Sequence, residues 1–278
     1  MKRLRSWIDE HAVLVFYLLA LALSWSYWLA LLASGQRVEP GSATSHLPGL
    51  LGPMLAAIVV TGMASGAPGL RDLLRRSLTI PARPAEGLLL ALSPLLLGLA
   101  VFCVLRGTGA PWPDIGAFAA YPGLPTGLPL WLSIGAALVL NGLGEEVGWR
   151  GFASHRFASR MGRLRATLLV AVLWLLWHAP LFWLVSNMRA LLGPELLGWA
   201  AGLVAGAFVL AAMYFATQSV LVVAVWHTLF NVVVATPPGR GLPAAAVSTF
   251  VMLCGGLVAV SWWRQERRRV DPSAESSS

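Results

Sequence analysis

Charged residues and cysteines are both scarce in this chain. Of its 278 residues, 12% are Asp, Glu, Lys or Arg, whereas 57% are hydrophobic and the mean hydropathy is +0.72. Because soluble domains carry about 25% charged residues, this composition excludes an ordinary soluble protein and predicts a membrane protein. The two cysteines, Cys103 and Cys254, fall inside apolar segments and give no support to a disulfide framework or a thiolate zinc site.

Basic patches interleaved with aromatic residues are also absent. The chain has a net charge of +8, but its basic residues are dispersed between apolar runs. Nucleic-acid-binding domains concentrate Lys and Arg on one face. We therefore expect no nucleic-acid partner and attribute the positive charge to membrane topology.

Apolar segments of membrane-spanning length recur along the chain. A helix needs about 20 residues to cross the hydrocarbon core of a bilayer. Eight segments approach that length: 12–33, 47–66, 87–106, 128–148, 165–186, 196–216, 218–236 and 243–263. If these segments alternate in direction, 16 of the 20 Lys and Arg residues fall on one side, the side that the positive-inside rule makes cytoplasmic. The sequence predicts an all-α, polytopic membrane bundle of about eight helices with both termini cytoplasmic.

The organisation of the chain is that of a single membrane domain over residues 1–278. Its polar motifs lie in a core over 128–236, and a basic, disordered cytoplasmic tail is predicted over 264–278. Gly198, Gly202 and Gly206 form a strip that predicts close approach of a neighbouring helix. Nineteen arginines against one lysine favour the plasma (inner) membrane of a bacterium.

Ionisable side chains inside spans indicate a functional site, because they are costly to insert into lipid. The fourth segment contains Glu145 and Glu146. Residues four apart share one helical face, so we expect Glu146 to pair with Arg150. Glu145 then points elsewhere without a local cation. This pattern predicts one structural and one reactive glutamate.

The fifth and seventh segments add His178, and His227 with Asn231. Each feature alone has an ordinary explanation: the two glutamates could mark where segment four leaves the membrane, His178 could be a neutral core histidine, and the last two could be an interhelical hydrogen-bonding pair. Together, a glutamate and a histidine can activate water, while a histidine and an asparagine can donate to an oxyanion. Peptide hydrolysis requires both functions.

The order and spacing of these residues resemble the CPBP family. The motifs are EExxxR at 145–150, an aromatic residue and a histidine at 174–178, and HxxxN at 227–231. The family comprises the type II CAAX prenyl endopeptidases and the bacterial Abi proteins, often called intramembrane metalloproteases. The second motif usually begins with phenylalanine, and Trp174 stands there instead.

The resemblance implies a role for each motif residue. Glu145 and His178 would activate the attacking water, and His227 and Asn231 would stabilise the tetrahedral oxyanion. Glu146 and Arg150 would support the site.

Two cofactor hypotheses stay open. Glu145, His178 and His227 could supply three ligands to a zinc ion, with water in the fourth position. The chain has no HExxH motif, and members of the family are also interpreted as glutamate-based proteases without a bound ion.

We therefore expect an intramembrane endopeptidase acting on a membrane-associated peptide or protein within the lipid bilayer. The substrate would be of the CAAX type or resemble a bacteriocin or signal peptide, with bacteriocin immunity as a related role. The alternative is a non-proteolytic protein, either a proton-coupled transporter or an immunity or scaffold protein, that uses the same polar core. The sequence gives no indication of the oligomeric state.

Overall fold

The structure is a computed structural model that describes residues 7–39 and 42–270. Long helices follow one another along this part of the chain: α1 Ala12–Ala33, α2 Leu47–Leu78, α3 Pro84–Gly107, α4 Leu130–Met161, α5 Arg163–Leu184, α6 Glu195–Thr217, α7 Val220–Ala235 and α8 Leu242–Val270. Short helical turns lie between them at Gly116–Ala119, Ser186–Arg189 and Pro237–Gly239. Within these ranges there is no β-sheet, and the predicted all-α class is confirmed.

Seven of these helices, all except α7, are long and apolar enough to cross a membrane. The predicted polytopic helical bundle is thereby confirmed. The seventh predicted segment, 218–236, corresponds to α7, an apolar helix of 16 residues and thus about 24 Å long.

Helix α7 runs antiparallel to α4. His227 contacts Glu146, and one turn further along α7, Asn231 contacts Asn141. Rising residue numbers on α7 therefore meet falling numbers on α4. If eight spans alternate strictly in direction, the fourth and the seventh helix must be antiparallel, as they are here. The cytoplasmic location of the termini stays a prediction.

Helix α4 is longer than its apolar sequence predicted. The segment was expected to end at residue 148, but the helix continues to Met161 through two π-helical stretches, Leu138–Leu143 and Val147–Ser154. Glu145 and Glu146 consequently lie in mid-helix, with exposed fractions of 2% and 0%. The alternative interpretation, that these glutamates mark where the fourth segment leaves the membrane, is therefore wrong. Departures from α-helical geometry of this kind occur often at functional sites.

Helix α5 is interrupted where the second motif ends. Its regular part closes at Trp177, residues 178–180 form a turn, and one further turn covers Leu181–Leu184. Pro180 explains the break, because proline has no N–H to donate to the preceding turn. His178 therefore lies at a helix end within the bundle.

The close approach between α6 and α8 uses a different glycine from those predicted. A Cβ atom at Gly198 or Gly206 would have no neighbour within 4 Å, whereas a Cβ at Gly255 would collide with the backbone oxygen of Ala205. Of the predicted strip on α6, a Cβ at Gly202 would lie 4.0 Å from Met252 Sδ on α8, and the closest approach is instead at Gly255.

The predicted C-terminal tail is described only at its start. Helix α8 continues through Val270, which includes the first residues of the segment predicted as disordered. Residues 271–278 lie outside the described part of the chain, as do Lys2, Arg3 and Arg5.

Membrane topology can be tested with single cysteines in a variant carrying Cys103→Ala and Cys254→Ala. Ser34 and Ser159 are both exposed and lie after α1 and near the end of α4. With cytoplasmic termini, an impermeant maleimide should label Ser34→Cys in intact spheroplasts and Ser159→Cys only after permeabilisation. The reverse labelling pattern would contradict the predicted orientation.

Neighbouring glycines on α8 provide a test of the α6–α8 contact. Gly255→Ala should lower the unfolding temperature in detergent, since overpacking costs about 1–3 kcal/mol. Gly256→Ala should leave it unchanged or raise it, because a Cβ at Gly256 meets open space and alanine favours a helix. Equal effects from the two substitutions would show that this contact is not tight.

Candidate active site

Glu146 is the centre of a buried cluster of charged and polar side chains. Its Oε1 accepts hydrogen bonds from Arg150 Nη1 at 2.9 Å and from His227 Nδ1 at 2.7 Å. The side chains of Glu146 and Arg150 are both 0% exposed. The predicted pairing of these two residues is therefore present, and α7 contributes a second donor that the sequence did not indicate.

The Arg150 guanidinium is held by a ring as well as by a carboxylate. Its Cζ lies 4.6 Å from the centroid of the Trp174 ring, a distance at which a cation is attracted to an aromatic face. Its Nε and Nη2 atoms are buried without a hydrogen-bond partner in the described residues. Trp174 thus covers the cation from the α5 side.

Glu145 points away from this ion pair, as predicted. Asn141 Nδ2 donates to its Oε1 at 2.5 Å, and Trp174 Nε1 donates to its Oε2 at 2.6 Å. Among the described residues, no Lys, Arg or His forms an ion pair with this carboxylate. Two neutral donors on different helices therefore hold the glutamate expected to be reactive.

The amide of Asn141 joins three further parts of the chain. Its Oδ1 accepts hydrogen bonds from Tyr121 Oη at 2.6 Å and from Asn231 Nδ2 at 2.7 Å. Tyr121 belongs to the connection between α3 and α4 and is 6% exposed. A continuous path of hydrogen bonds therefore runs from this connection through Asn141 to Glu145.

His178 uses a carbonyl at the end of the regular part of α5. A helix end leaves its last four carbonyls without intrahelical partners, and His178 Nδ1 lies 2.7 Å from the carbonyl oxygen of Trp174. A carbonyl can only accept, so Nδ1 carries the proton and Nε2 keeps its lone pair in the neutral ring. The side chain is partly exposed. Its ring is therefore fixed in a tautomer that can accept a proton.

Trp174 links the residues of the first two motifs. It contacts Glu145, Arg150 and His178 through the interactions above, and its ring packs edge-on against His227 at a centroid distance of 5.7 Å. Within the described residues, no direct hydrogen bond joins Glu145 to His178. His227 and Asn231 share one face of α7 but bind different partners on α4, Glu146 and Asn141.

The predicted zinc ligands do not match a metal site as they are arranged. Across the described chain, no three or more His, Cys, Asp or Glu side chains form a group that could hold a metal ion. Nδ1 of each histidine is bonded within the protein, which leaves both Nε2 atoms without a hydrogen-bond partner in the described residues. Glu145, His178 and His227 are nevertheless not gathered into a group that could hold zinc in this arrangement.

Sequence reasoning missed two residues of the polar network. Asn141 lies one turn before Glu145 on α4 and is 4% exposed. A polar residue at that spacing inside an apolar segment was a usable signal. Tyr121 lies in a loop, where no periodicity indicates which residue reaches the core.

Comparison with known proteins adds information on the segment that carries these residues. Residues 127–233 match the family model described as type II CAAX prenyl endopeptidase Rce1-like. The chain is also similar to CAAX prenyl protease 2 of Methanococcus maripaludis, with 36% identity over 52 residues. That match covers 19% of this chain and 19% of the archaeal protein.

The matched segment contains Glu145, Glu146, Arg150, His178, His227 and Asn231, all of the residues singled out by the three motifs. The resemblance predicted from those motifs is thus confirmed for this part of the chain. Residues 127–233 are thus similar to the type II CAAX prenyl endopeptidases, within a chain whose apolar helices are those of a multi-pass membrane protein.

Proposed function

We propose that this protein is an intramembrane endopeptidase that hydrolyses a peptide bond in a membrane-associated substrate. The observation that carries the proposal is the enclosed carboxylate of Glu145, held by two neutral donors, one of which belongs to Trp174, the residue whose carbonyl also orients a histidine with a free Nε2. The Rce1-like match over the same residues supports it.

Glu145 and His178 have complementary roles in activating water. A water molecule can donate one hydrogen to Glu145 and the other to His178 Nε2, which directs an oxygen lone pair toward the substrate carbonyl carbon. The oxygen attacks that carbon as Glu145 takes the proton. Glu145 then returns the proton to the amide nitrogen as the C–N bond breaks. The products are a carboxylic acid and an amine.

We assign Asn231 and His227 to stabilisation of the oxyanion formed by this attack. One N–H of the Asn231 amide is bonded to Asn141, and the second remains for a substrate oxygen. His227 presents Nε2, which donates when it carries a proton. Donors prearranged for developing charge are often the largest contribution to catalysis.

We place the substrate at the accessible part of the site. His178 and Asn231 are partly exposed, whereas Glu145, Glu146 and Arg150 are buried. A peptide would therefore contact the histidine and the asparagine first, with Glu145 behind them. The protein called CAAX prenyl protease 2 is named for a CAAX substrate. A substrate of that type, or one resembling a bacteriocin or signal peptide, in a bacterial plasma membrane fits the proposal.

Substitution of the water-activating residues tests the reaction. Glu145→Gln and His178→Ala should each lower kcat for a membrane-anchored peptide library by about 10²–10⁴-fold, the usual contribution of general acid–base catalysis. Matched controls are Glu195→Gln, at an exposed glutamate at the start of α6, and His11→Ala, outside α1. Cleavage products identified by mass spectrometry provide the measurement.

Two outcomes would contradict this function. Wild-type protein in liposomes could leave every peptide intact while carrying a proton-coupled flux that Glu145→Gln abolishes, which would favour a transporter. Cleavage that persists in both variants at the rate of the controls would place the reaction elsewhere.

The cofactor hypothesis has its own test. We expect cleavage to continue after dialysis against a strong chelator, because the proposed steps use only side chains of this chain. Elemental analysis of the active protein should find less than stoichiometric zinc. Loss of activity on chelation, restored by about one equivalent of zinc, would replace this mechanism with a metal-dependent one.

A further inference from the structure

Trp174 forms hydrogen bonds with both of the proposed water-activating side chains, Glu145 and His178. Its Nε1 donates to Glu145 Oε2 at 2.6 Å, and its carbonyl oxygen accepts from His178 Nδ1 at 2.7 Å. The side chain is 5% exposed. Within the described chain, these are the hydrogen bonds through which α5 holds Glu145 and through which His178 is oriented.

The carbonyl of Trp174 is available to His178 because no backbone N–H bonds to it at the end of the regular α5 helix. Its last four carbonyls each have a different donor: His178 Nδ1 for Trp174, the His178 N–H for Leu175, the Ala179 N–H for Leu176, and Trp25 Nε1 for Trp177. The helix tightens at this point, so the backbone N–H of His178 bonds one residue later than in a regular turn. The imidazole therefore takes the carbonyl that the tightened turn leaves free.

The indole N–H has a role that Asn141 cannot replace. Asn141 lies on the same helix as Glu145, so its bond fixes the side-chain rotamer relative to α4. The bond from Trp174 fixes the carboxylate relative to α5, the helix that carries His178. Phenylalanine would fill part of this space but has no donor for the carboxylate.

We propose that Trp174 is a positioning residue that sets the separation of Glu145 and His178, with its indole N–H on one and its carbonyl on the other. This inference rests on the proposed function, in which both side chains contact the attacking water. The Trp174 ring also packs on the Arg150 guanidinium and against His227, which keeps the indole plane from turning. Trp174 itself takes no part in proton transfer.

Trp174→Phe isolates the indole N–H, because the carbonyl that holds His178 remains. We expect kcat to fall by about 10- to 100-fold with KM little changed, the loss typical of a group that orients a catalytic residue. A KM that rises at constant kcat would instead assign Trp174 to substrate binding and overturn the proposal. So would a folded variant with wild-type kcat.

A matched control removes a buried indole donor elsewhere. Trp28 is 0% exposed and donates its Nε1 to the carbonyl oxygen of His46 at 2.9 Å. Trp28→Phe should cost comparable thermal stability and leave kcat at the wild-type value. An equal fall in kcat in both variants would indicate general destabilisation and overturn the specific role of Trp174.

A spectroscopic measurement tests the contact without relying on turnover. In protein labelled with ¹⁵N-tryptophan, the Trp174 indole resonance is the one that disappears in Trp174→Phe. We expect its proton shift to be strongly downfield and to move upfield in Glu145→Ala, while the Trp28 resonance stays in place. If Trp174→Phe does not fold, the resonance lost or displaced in Glu145→Ala identifies the same indole.

The two readouts separate failure of the inference from failure of the function. A wild-type protein that cleaves no peptide contradicts the proposed function, whatever the spectrum shows. An indole resonance unaffected by Glu145→Ala contradicts the positioning role, even where cleavage is observed.

Discussion

The arrangement of the site depends on the neutralisation of Glu146 inside the bundle. A buried carboxylate is costly unless it is paired and hydrogen-bonded, and removing one partner of such a pair costs about 3–5 kcal/mol. Arg150 from the same helix and His227 from α7 both donate to Oε1 of Glu146, while its Oε2 is buried without a hydrogen-bond partner in the described residues. The second bond fixes the register of α7 on α4, because a shift of one residue along α7 would rotate His227 by about 100°. Gly142 permits this contact, since a side chain there would collide with Thr228 and the backbone of Ala224.

Because Arg150 and His227 both bond to Glu146, neither of them donates a hydrogen bond to Glu145. The two glutamates are adjacent in sequence, but their side chains leave the helix in different directions. The hydrogen-bond donors to Glu145 are an amide and an indole, which orient a carboxylate without neutralising it. The amide cannot turn, because its oxygen is taken by Tyr121 and Asn231. Helix α4 thus carries two adjacent carboxylates with different surroundings. Glu146 is held in an ion pair, whereas Glu145 is oriented by neutral donors and available for chemistry.

Helical periodicity is the part of this structure that the sequence predicts well. The eight apolar segments correspond to α1–α8, and the spacing of four residues correctly paired Glu146 with Arg150. The end of the fourth segment was placed at 148 because hydropathy falls at the two glutamates. Hydropathy measures the cost of placing a charge in lipid. It does not show whether an oppositely charged side chain pairs with that charge and offsets the cost. A mid-helix ion cluster and a helix leaving the membrane therefore look alike in one dimension.

Contacts between helices could not be predicted for a related reason. His227 and Asn231 are four residues apart, and this spacing correctly predicted that they lie on one face of α7. In the structure, one turn of α7 separates them, and they reach residues on α4 that are likewise more than one turn apart, Glu146 and Asn141. Periodicity fixes which residues share a face, whereas the partner on the opposing helix depends on a register that several packed helices set together. Tyr121 could not be predicted from periodicity at all, because it lies in a loop. The path of that loop into the bundle depends on its contacts with the packed helices.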